Sequence, residues 1–418
     1  MIEGKESMNR IKAAVIYHVK RNLKLKDFIK RVLIILQLPI VLTAFIYSKF
    51  SKKYQGVWLI GETGTDAKDN GQAFFSYLIY NHPEINTVYY ISGETAAAAN
   101  IHHIGKSVIT SSFQHKVAFM SAKYILSTHD GYSIPFVGAN WHDFKAIYGW
   151  LAPELQFVFL SHGVSKDDGS ENANYQRTRF DYFVTSTEDE YEEISSSRYG
   201  YPSGNVIKTG FTRYDVLLEN PNKITQKRNV VFMPTWRYYL ADVDDDKFIE
   251  SKYFKEIYSL LHDSDLNNLI SNNQMRFYFF PPHHEIQKRI KLFDLDETKV
   301  IPIDTEASVF SDIVLASSMM ITDFSSVIFD FAFLYKRTAY FQFDLEEYRK
   351  GQYKQGYFHY DKDGFGPICT NKAKLIDEIR NAISNNFEIE KKYADRIDHT
   401  FAWRDGKNCE RLFKILVK

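Results

Sequence analysis

Four short stretches hold residue types that could move a phosphoryl group and a proton. The first is Met319-Met320-Ile321-Thr322-Asp323-Phe324-Ser325-Ser326-Val327-Ile328-Phe329-Asp330-Phe331. Its apolar start reads as a buried parallel strand that stops at Thr322-Asp323, after which Val327, Phe331 and Leu334 fall at helical spacing. A strand running into a helix start offers free first-turn amides and the positive end of a helix dipole, which together suit an anion such as phosphate. The plainer alternative is a β-to-α turn with ordinary capping residues. The second stretch, residues 157–160, is an apolar run that delivers Ser161-His162-Gly163-Val164. In open parallel sheets ligands bind beyond the carboxyl ends of strands. A His there, followed by a Gly that lets backbone come close, suits proton transfer, although a strand-end His can also be purely structural.

The third stretch, residues 276–280, ends at Pro281-Pro282-His283-His284-Glu285. Two adjacent histidines on regular structure cannot face one point, so they make no metal pair, and which of the two serves chemistry stays open. The fourth runs from Asn229 to Met233 and ends at Pro234-Thr235-Trp236-Arg237. Its guanidinium could clamp phosphate with two hydrogen bonds, and its indole could stack on a base or simply pack. The acidic run 242–246 reads as a solvated loop.

These stretches need elements to carry them. At 418 residues the chain can build two domains with proper cores. Apolar residues at 44% and charged residues at 25% describe a globular protein without low-complexity segments. Strand-like runs at 56–61, 88–91, 108–110, 124–127, 157–160 and 180–186 alternate with helical patterns, which predicts a parallel doubly wound sheet. Asp69 and Asn70 read as the start of one helix. The second half repeats the alternation, with a late strand expected at 340–344 and a helical tail from 374 to 418. A polar link at 219–229 predicts the boundary between a lobe at 55–222 and a lobe at 223–390, with 391–418 a terminal helix crossing back. Cys369 and Cys409 match no metal spacing and no disulfide framework, which points to a reducing cytosol.

Charge is balanced overall, with 52 basic and 52 acidic residues, but not evenly spread. Residues 1–53 carry 12 Lys/Arg against 3 Asp/Glu, leaving 40 against 49 for the rest. Within that arm Ile11, Ala14, Val15, His18 and Val19 follow helical spacing, and residues 32–47 are apolar apart from Gln37 and Thr43, with Pro39 as a break. A bilayer span needs roughly 20 apolar residues, so segment 1–54 is expected to lie on anionic lipid rather than cross it. The alternative is a helix pair packed on the protein's own body.

Taken in order, Glu62, Ala67 and Asp69-Asn70-Gly71; Leu160-Ser161-His162-Gly163; Thr209-Gly210 with Arg213-Tyr214-Asp215; Pro234-Thr235-Trp236-Arg237; Phe248 with Ser251-Lys252-Tyr253-Phe254; Pro282-His283; Ile321 to Ser326; and Gly364-Phe365-Gly366-Pro367 resemble the CDP-glycerol glycerophosphotransferase family. The resemblance covers roughly residues 55–390. It implies an α/β protein of two Rossmann-like lobes of the GT-B type and a peripheral place on the cytoplasmic face of a bacterial membrane. It also implies a donor, CDP-glycerol or CDP-ribitol, whose polyol phosphate passes to a lipid-linked glycan or polyol-phosphate acceptor. His162 and His283 are then the expected catalytic residues. Arg237, Thr322, Asp323, Ser325 and Ser326 form the expected donor phosphate site, with Glu62, Asp69, Asn70 and Gly163 on the acceptor side. No metal, cofactor or nucleic acid is expected. A nucleotide-sugar glycosyltransferase or epimerase and a catalytically inactive membrane scaffold are the rival readings. Family-typical residues are replaced at Thr63, Ser161, Phe324 and His284, which bears on the choice of polyol.

Overall fold

The computed structural model describes residues 23–219, 228–241, 243–281, 283–304 and 310–418. The helical stripe at residues 11–19, most of the expected link at 219–229, Asp242 and Pro282 lie outside the described residues.

Two parallel sheets form the frame. Strands β1 (Val57–Gly61), β2 (Thr87–Ile91), β3 (Ser107–Ile109), β4 (Ala122–Ser127), β5 (Gln156–Phe159), β6 (Tyr182–Thr185) and β7 (Val206–Lys208) take the order β3-β2-β1-β4-β5-β6-β7. Strands β8 (Asn229–Met233), β9 (Arg276–Phe279), β10 (Val300–Pro302), β11 (Met319–Thr322), β12 (Arg337–Phe341) and β13 (Ile368–Cys369) take the order β10-β9-β8-β11-β12-β13. Strands β1, β2, β8, β11 and β12 are buried at every position. A parallel strand covered on both faces is mostly apolar, and the apolar stretches within β1, β2, β8 and β11 carry that pattern.

The described chain falls into two compact units. One holds the residues up to 67 together with 75–160 and 177–182; the other holds 68–74, 161–176 and 183–418. In the first unit Leu59, Tyr89, Phe119, Ile125 and Phe144 are fully buried. Gly61 lets Tyr90 cross the end of β1, since a Cβ there would lie 2.4 Å from the Tyr90 ring. In the second unit Phe232, Ile257, Phe277, Met319, Ile321, Phe341 and Ile379 form the centre of the core.

Two helices, Leu23–Ile35 and the more apolar Leu38–Phe50, belong to the first unit. Ile34, Val41 and Ala44 are fully buried. The Tyr148 hydroxyl donates to the Ile34 carbonyl at 2.6 Å, the Gln37 amide exchanges two hydrogen bonds with the Val137 backbone, and Lys30 pairs with Asp143 at 2.6 Å. The opposite side is not covered: Phe28, Leu33, Leu36, Ile46, Tyr47 and Phe50 are 50–82% exposed. Among the described residues no single helix is long and apolar enough to cross a membrane, and the two helices bend by 48° at their junction.

The expected helical tail is three helices, Lys372–Ser384, Lys391–Thr400 and Asn408–Leu416. Left-handed backbone at Asn386, Phe387 and Gly406 ends the first and precedes the last. The last helix packs on residues of its own unit, with Asp215 accepting from the Asn408 and Cys409 amides at 3.0 and 2.8 Å. Cys369 and Cys409 are both buried and unpaired. The late strand sits three residues earlier than expected, at β12; just beyond it the Gln342 side chain donates to the Asp323 carbonyl at 3.0 Å and Asp344 accepts from Arg237 at 2.8 Å.

Candidate active site

The site is built from the second unit. Strand β5 ends before Ser161, which takes a left-handed φ of 57° and donates its hydroxyl to the Val184 carbonyl at 2.8 Å. That turn throws His162 outward, and its side chain is exposed. Asn70 fixes the turn from one side: its side-chain amide donates to the Ser161 carbonyl at 2.8 Å, while its oxygen accepts from the Arg213 amide at 3.1 Å. Arg213 fixes it from the other side. One guanidinium nitrogen donates to Asp69 at 2.9 Å and to the His162 carbonyl at 3.3 Å, and the other two hold Asp330 at 3.1 and 2.8 Å.

Gly163 brings this turn against the serine stretch. A Cβ at Gly163 would sit 2.6 Å from the Ser326 hydroxyl, so only glycine allows the approach without displacing that side chain. Ser325 and Ser326 are partly exposed. The helix behind them is shorter than the apolar spacing predicts, running only over Ile328–Phe333. Ser325 supplies its own turn bond, its hydroxyl accepting from the Val327 amide at 3.3 Å. A six-residue helix contributes little dipole, so the seat is mainly hydroxyls and loop backbone rather than the helix end first expected.

Arg237, Thr322 and Asp323 are corrected. Arg237 is fully buried, and all three guanidinium nitrogens are engaged. It holds Asp344 through two bonds of 2.8 Å, Asp323 at 2.7 Å and the Thr235 carbonyl at 2.7 Å. The rings of Tyr253, Phe324 and Tyr348 enclose it at 5.0–5.1 Å. Asp323 accepts from the Thr235 and Phe324 amides at 2.8 and 2.6 Å, and Thr322 donates to the Met233 carbonyl at 2.6 Å. These three residues, all fully buried, therefore lock the ends of β8 and β11 together rather than facing an open ligand seat in this arrangement. Desolvating a charge is tolerable only with such complete pairing, and the pairing holds the Arg237 guanidinium above its ordinary range despite burial.

His283 follows β9 and stacks on Trp236 at 5.2 Å with the ring planes 10° apart. Its Nδ1 accepts from the Glu285 amide at 3.3 Å, which places the ring proton on Nε2. Burial, helped by neighbouring His284, lowers its pKa below the ordinary 6.5. His284 is 69% exposed and faces Glu285 at 3.0 Å. Of the two, His283 is thus the one held as a neutral donor. Trp236 packs rather than presenting an open face. Glu62 belongs to the first unit, buried at the end of β1, where its carbonyl accepts from the Tyr90 hydroxyl at 3.1 Å. Among the described residues no group of three His, Cys, Asp or Glu side chains is placed to hold a metal ion.

Sequence reasoning left Arg213 and Asp330 without a role. The signal was present: an aspartate inside the apolar run 328–333 has to find a cation if it is buried. The Lys166–Asp167–Arg349 group was missed as well. Lys166 is buried against Asp167, which also takes Arg349 at 2.6 Å.

A family described as CDP-Glycerol:Poly(glycerophosphate) glycerophosphotransferase matches residues 42–418. The minor teichoic acid biosynthesis protein GgaB of Bacillus subtilis (strain 168) is 29% identical over 384 residues, 89% of this chain and 41% of that protein. The teichoic acid poly(glycerol phosphate) polymerase of the same strain is 22% identical over 439 residues, 100% of this chain and 54% of that protein. The chain thus spans about half the length of these relatives or less. The solved wall teichoic acid polymerase TagF shares the fold with a TM-score of 0.65 at 17% identity, over 95% of this chain and 98% of that one.

Proposed function

This chain belongs to the CDP-glycerol:poly(glycerophosphate) glycerophosphotransferase family, and on that premise we propose that it transfers a polyol phosphate from a CDP-activated donor to a hydroxyl of a membrane-linked acceptor. Glycerol phosphate is the favoured group and ribitol phosphate the alternative. The observation that carries the reading is the close approach of Gly163, the residue that follows His162, to the partly exposed hydroxyl of Ser326.

In the proposed reaction the acceptor hydroxyl attacks the donor's outer phosphorus, the bond to the CMP oxygen breaks, and CMP departs. Such transfers pass through loose transition states, so the protein chiefly positions the partners, neutralises charge and manages one proton. His162 takes the proton from the acceptor hydroxyl. Ser325 and Ser326 hold phosphate oxygens, and His283 offers its Nε2–H to the diphosphate or the leaving CMP. Charge stabilisation is assigned to these side chains and the loop amides, with no metal or cofactor called upon.

The seven-stranded and six-stranded sheets are read as the cores of two Rossmann-like lobes of the GT-B type, at 55–222 and 223–390. The uncovered apolar side of the two N-terminal helices, with the excess of basic residues in 1–53, is read as the surface that rests on anionic lipid at the cytoplasmic face of a bacterial membrane. Offering CDP-glycerol, CDP-ribitol and a UDP-sugar separately with a membrane acceptor, and identifying the nucleotide released, tests the function. CMP from a CDP-polyol is expected. UDP from the sugar donor, with no CMP, would replace this reading by glycosyl transfer.

A further inference from the structure

Arg213 has too many partners for a simple surface ion pair. Its side chain is 12% exposed, and it binds Asp330, itself 2% exposed, through two nitrogens. Asp330 lies four residues beyond Ser326, in the short helix that follows the serines. The remaining terminal nitrogen reaches Asp69 and the carbonyl of His162. The backbone amide of the same residue binds the Asn70 side chain, which in turn grips the Ser161 carbonyl. The Thr212 hydroxyl adds a bond to the Asn70 carbonyl at 2.7 Å. Three separate parts of the chain (69–70, 161–163 and 326–330) therefore meet on one guanidinium.

We infer that Arg213 is a positioning residue that sets the His162 backbone at a fixed distance from the Ser325-Ser326 seat. It touches neither the reacting hydroxyl nor the phosphate in this assignment; it acts through the turn that carries His162. The inference rests on the proposed role of His162 as base. A planar fork can serve a carboxylate on one edge and a carboxylate plus a carbonyl on the other, whereas an ammonium on a flexible stem cannot span them. Arg213→Lys keeps a cation beside buried Asp330 while releasing the His162 carbonyl. A misplacement of about 1 Å at a reacting group costs up to about 100-fold, so a 10- to 100-fold loss of kcat (roughly) is the expected range, with the KM for the CDP donor nearly unchanged.

The decisive experiment is a cycle of four proteins: wild type, Arg213→Lys, His162→Ala and the double variant, each assayed for CMP release and checked by its unfolding midpoint. If Arg213 works through His162, the Arg213→Lys loss vanishes in the His162→Ala background, because contacting sites do not add. An equal loss in both backgrounds would show a general structural role and overturn the inference while leaving His162 as base. Near-normal turnover of His162→Ala alone would overturn both the base assignment and this inference, and that single variant identifies it. Should Arg213→Lys fail to fold, Asp69→Asn loosens the same guanidinium from a partly exposed partner and carries the same cycle, with the same two outcomes.

Discussion

Ser326 and Arg237 separate two kinds of polar residue at one set of strand ends. Ser326 is partly exposed and faces Gly163, so Ser326→Ala should remove one hydrogen bond to a charged group. That costs about 1.5–3 kcal/mol, equivalent to donor use weakened by about 10- to 150-fold, while the unfolding midpoint stays close to wild type. Unchanged donor kinetics in Ser325→Ala and Ser326→Ala alike would move the phosphate site elsewhere. Arg237→Ala should do the opposite. It strands Asp323 and Asp344 in a buried setting, and breaking such a pair costs about 3–5 kcal/mol, read as a large fall in denaturant midpoint. A stable Arg237→Ala protein that had merely lost donor affinity would restore the phosphate clamp that the sequence suggested. His283 adds a pH signature. Its lowered pKa means that below pH 6.5 the unfolded chain binds a proton the folded one resists, so stability falls as pH drops through that window. The midpoint of His283→Gln, measured against pH, should lack that component; an identical pH profile for both proteins would show that His283 does not titrate this way.

At the scale of elements, the turn after β5 and the loop after β11 make the site because each leaves a strand abruptly. Gly163→Ala tests their contact. The added methyl would fall 2.6 Å from the Ser326 hydroxyl, so Ser326 must rotate or the turn must retreat. Donor use should drop by about 10-fold or more, the range for a misplaced group, with folding retained; kinetics equal to wild type would mean the two loops need not touch. The strands themselves were legible, since runs such as Val57–Gly61 and Met319–Ile321 are apolar and buried and give way to polar residues. The histidine and serine positions followed from those stops. The helix after Ser326 was overestimated, because Val327, Phe331 and Leu334 are spaced for a helix whether or not its first turn forms, and Ser325 bonds the Val327 amide itself. Arg237 was misassigned for a related reason. A strand-end arginine looks alike in sequence whether it meets a ligand or two buried aspartates distant in the chain, and only the fold brings Asp323 and Asp344 to it. The same distance hid Arg213, whose partners lie 117 and 144 residues away.

For the molecule as a whole, the N-terminal helices show both faces of the alternatives left open by the sequence. Ile34, Val41 and Ala44 pack on the first unit, and Leu33, Leu36 and Phe50 remain outside. Deleting the pair would therefore uncover core. Replacing Leu33, Leu36 and Phe50 with Ser, Gln and Ser leaves the packed side alone and should reduce sedimentation with anionic vesicles, the more so as salt rises and screens the basic residues. Undiminished vesicle binding would place the lipid contact elsewhere. The central claim is that this protein takes a proton at His162 while a CDP-linked phosphoryl group leaves its CMP. The most direct measurement is CMP release from the CDP-polyol by His162→Ala, set beside its donor affinity by calorimetry and the same pair of values for His283→Ala. The account predicts that His162→Ala loses about 10²–10⁴-fold in turnover, the share of a general base, with donor affinity nearly intact, and that His283→Ala loses donor affinity or leaving-group departure instead. Turnover near wild type in His162→Ala, or donor binding lost there and kept in His283→Ala, would contradict it.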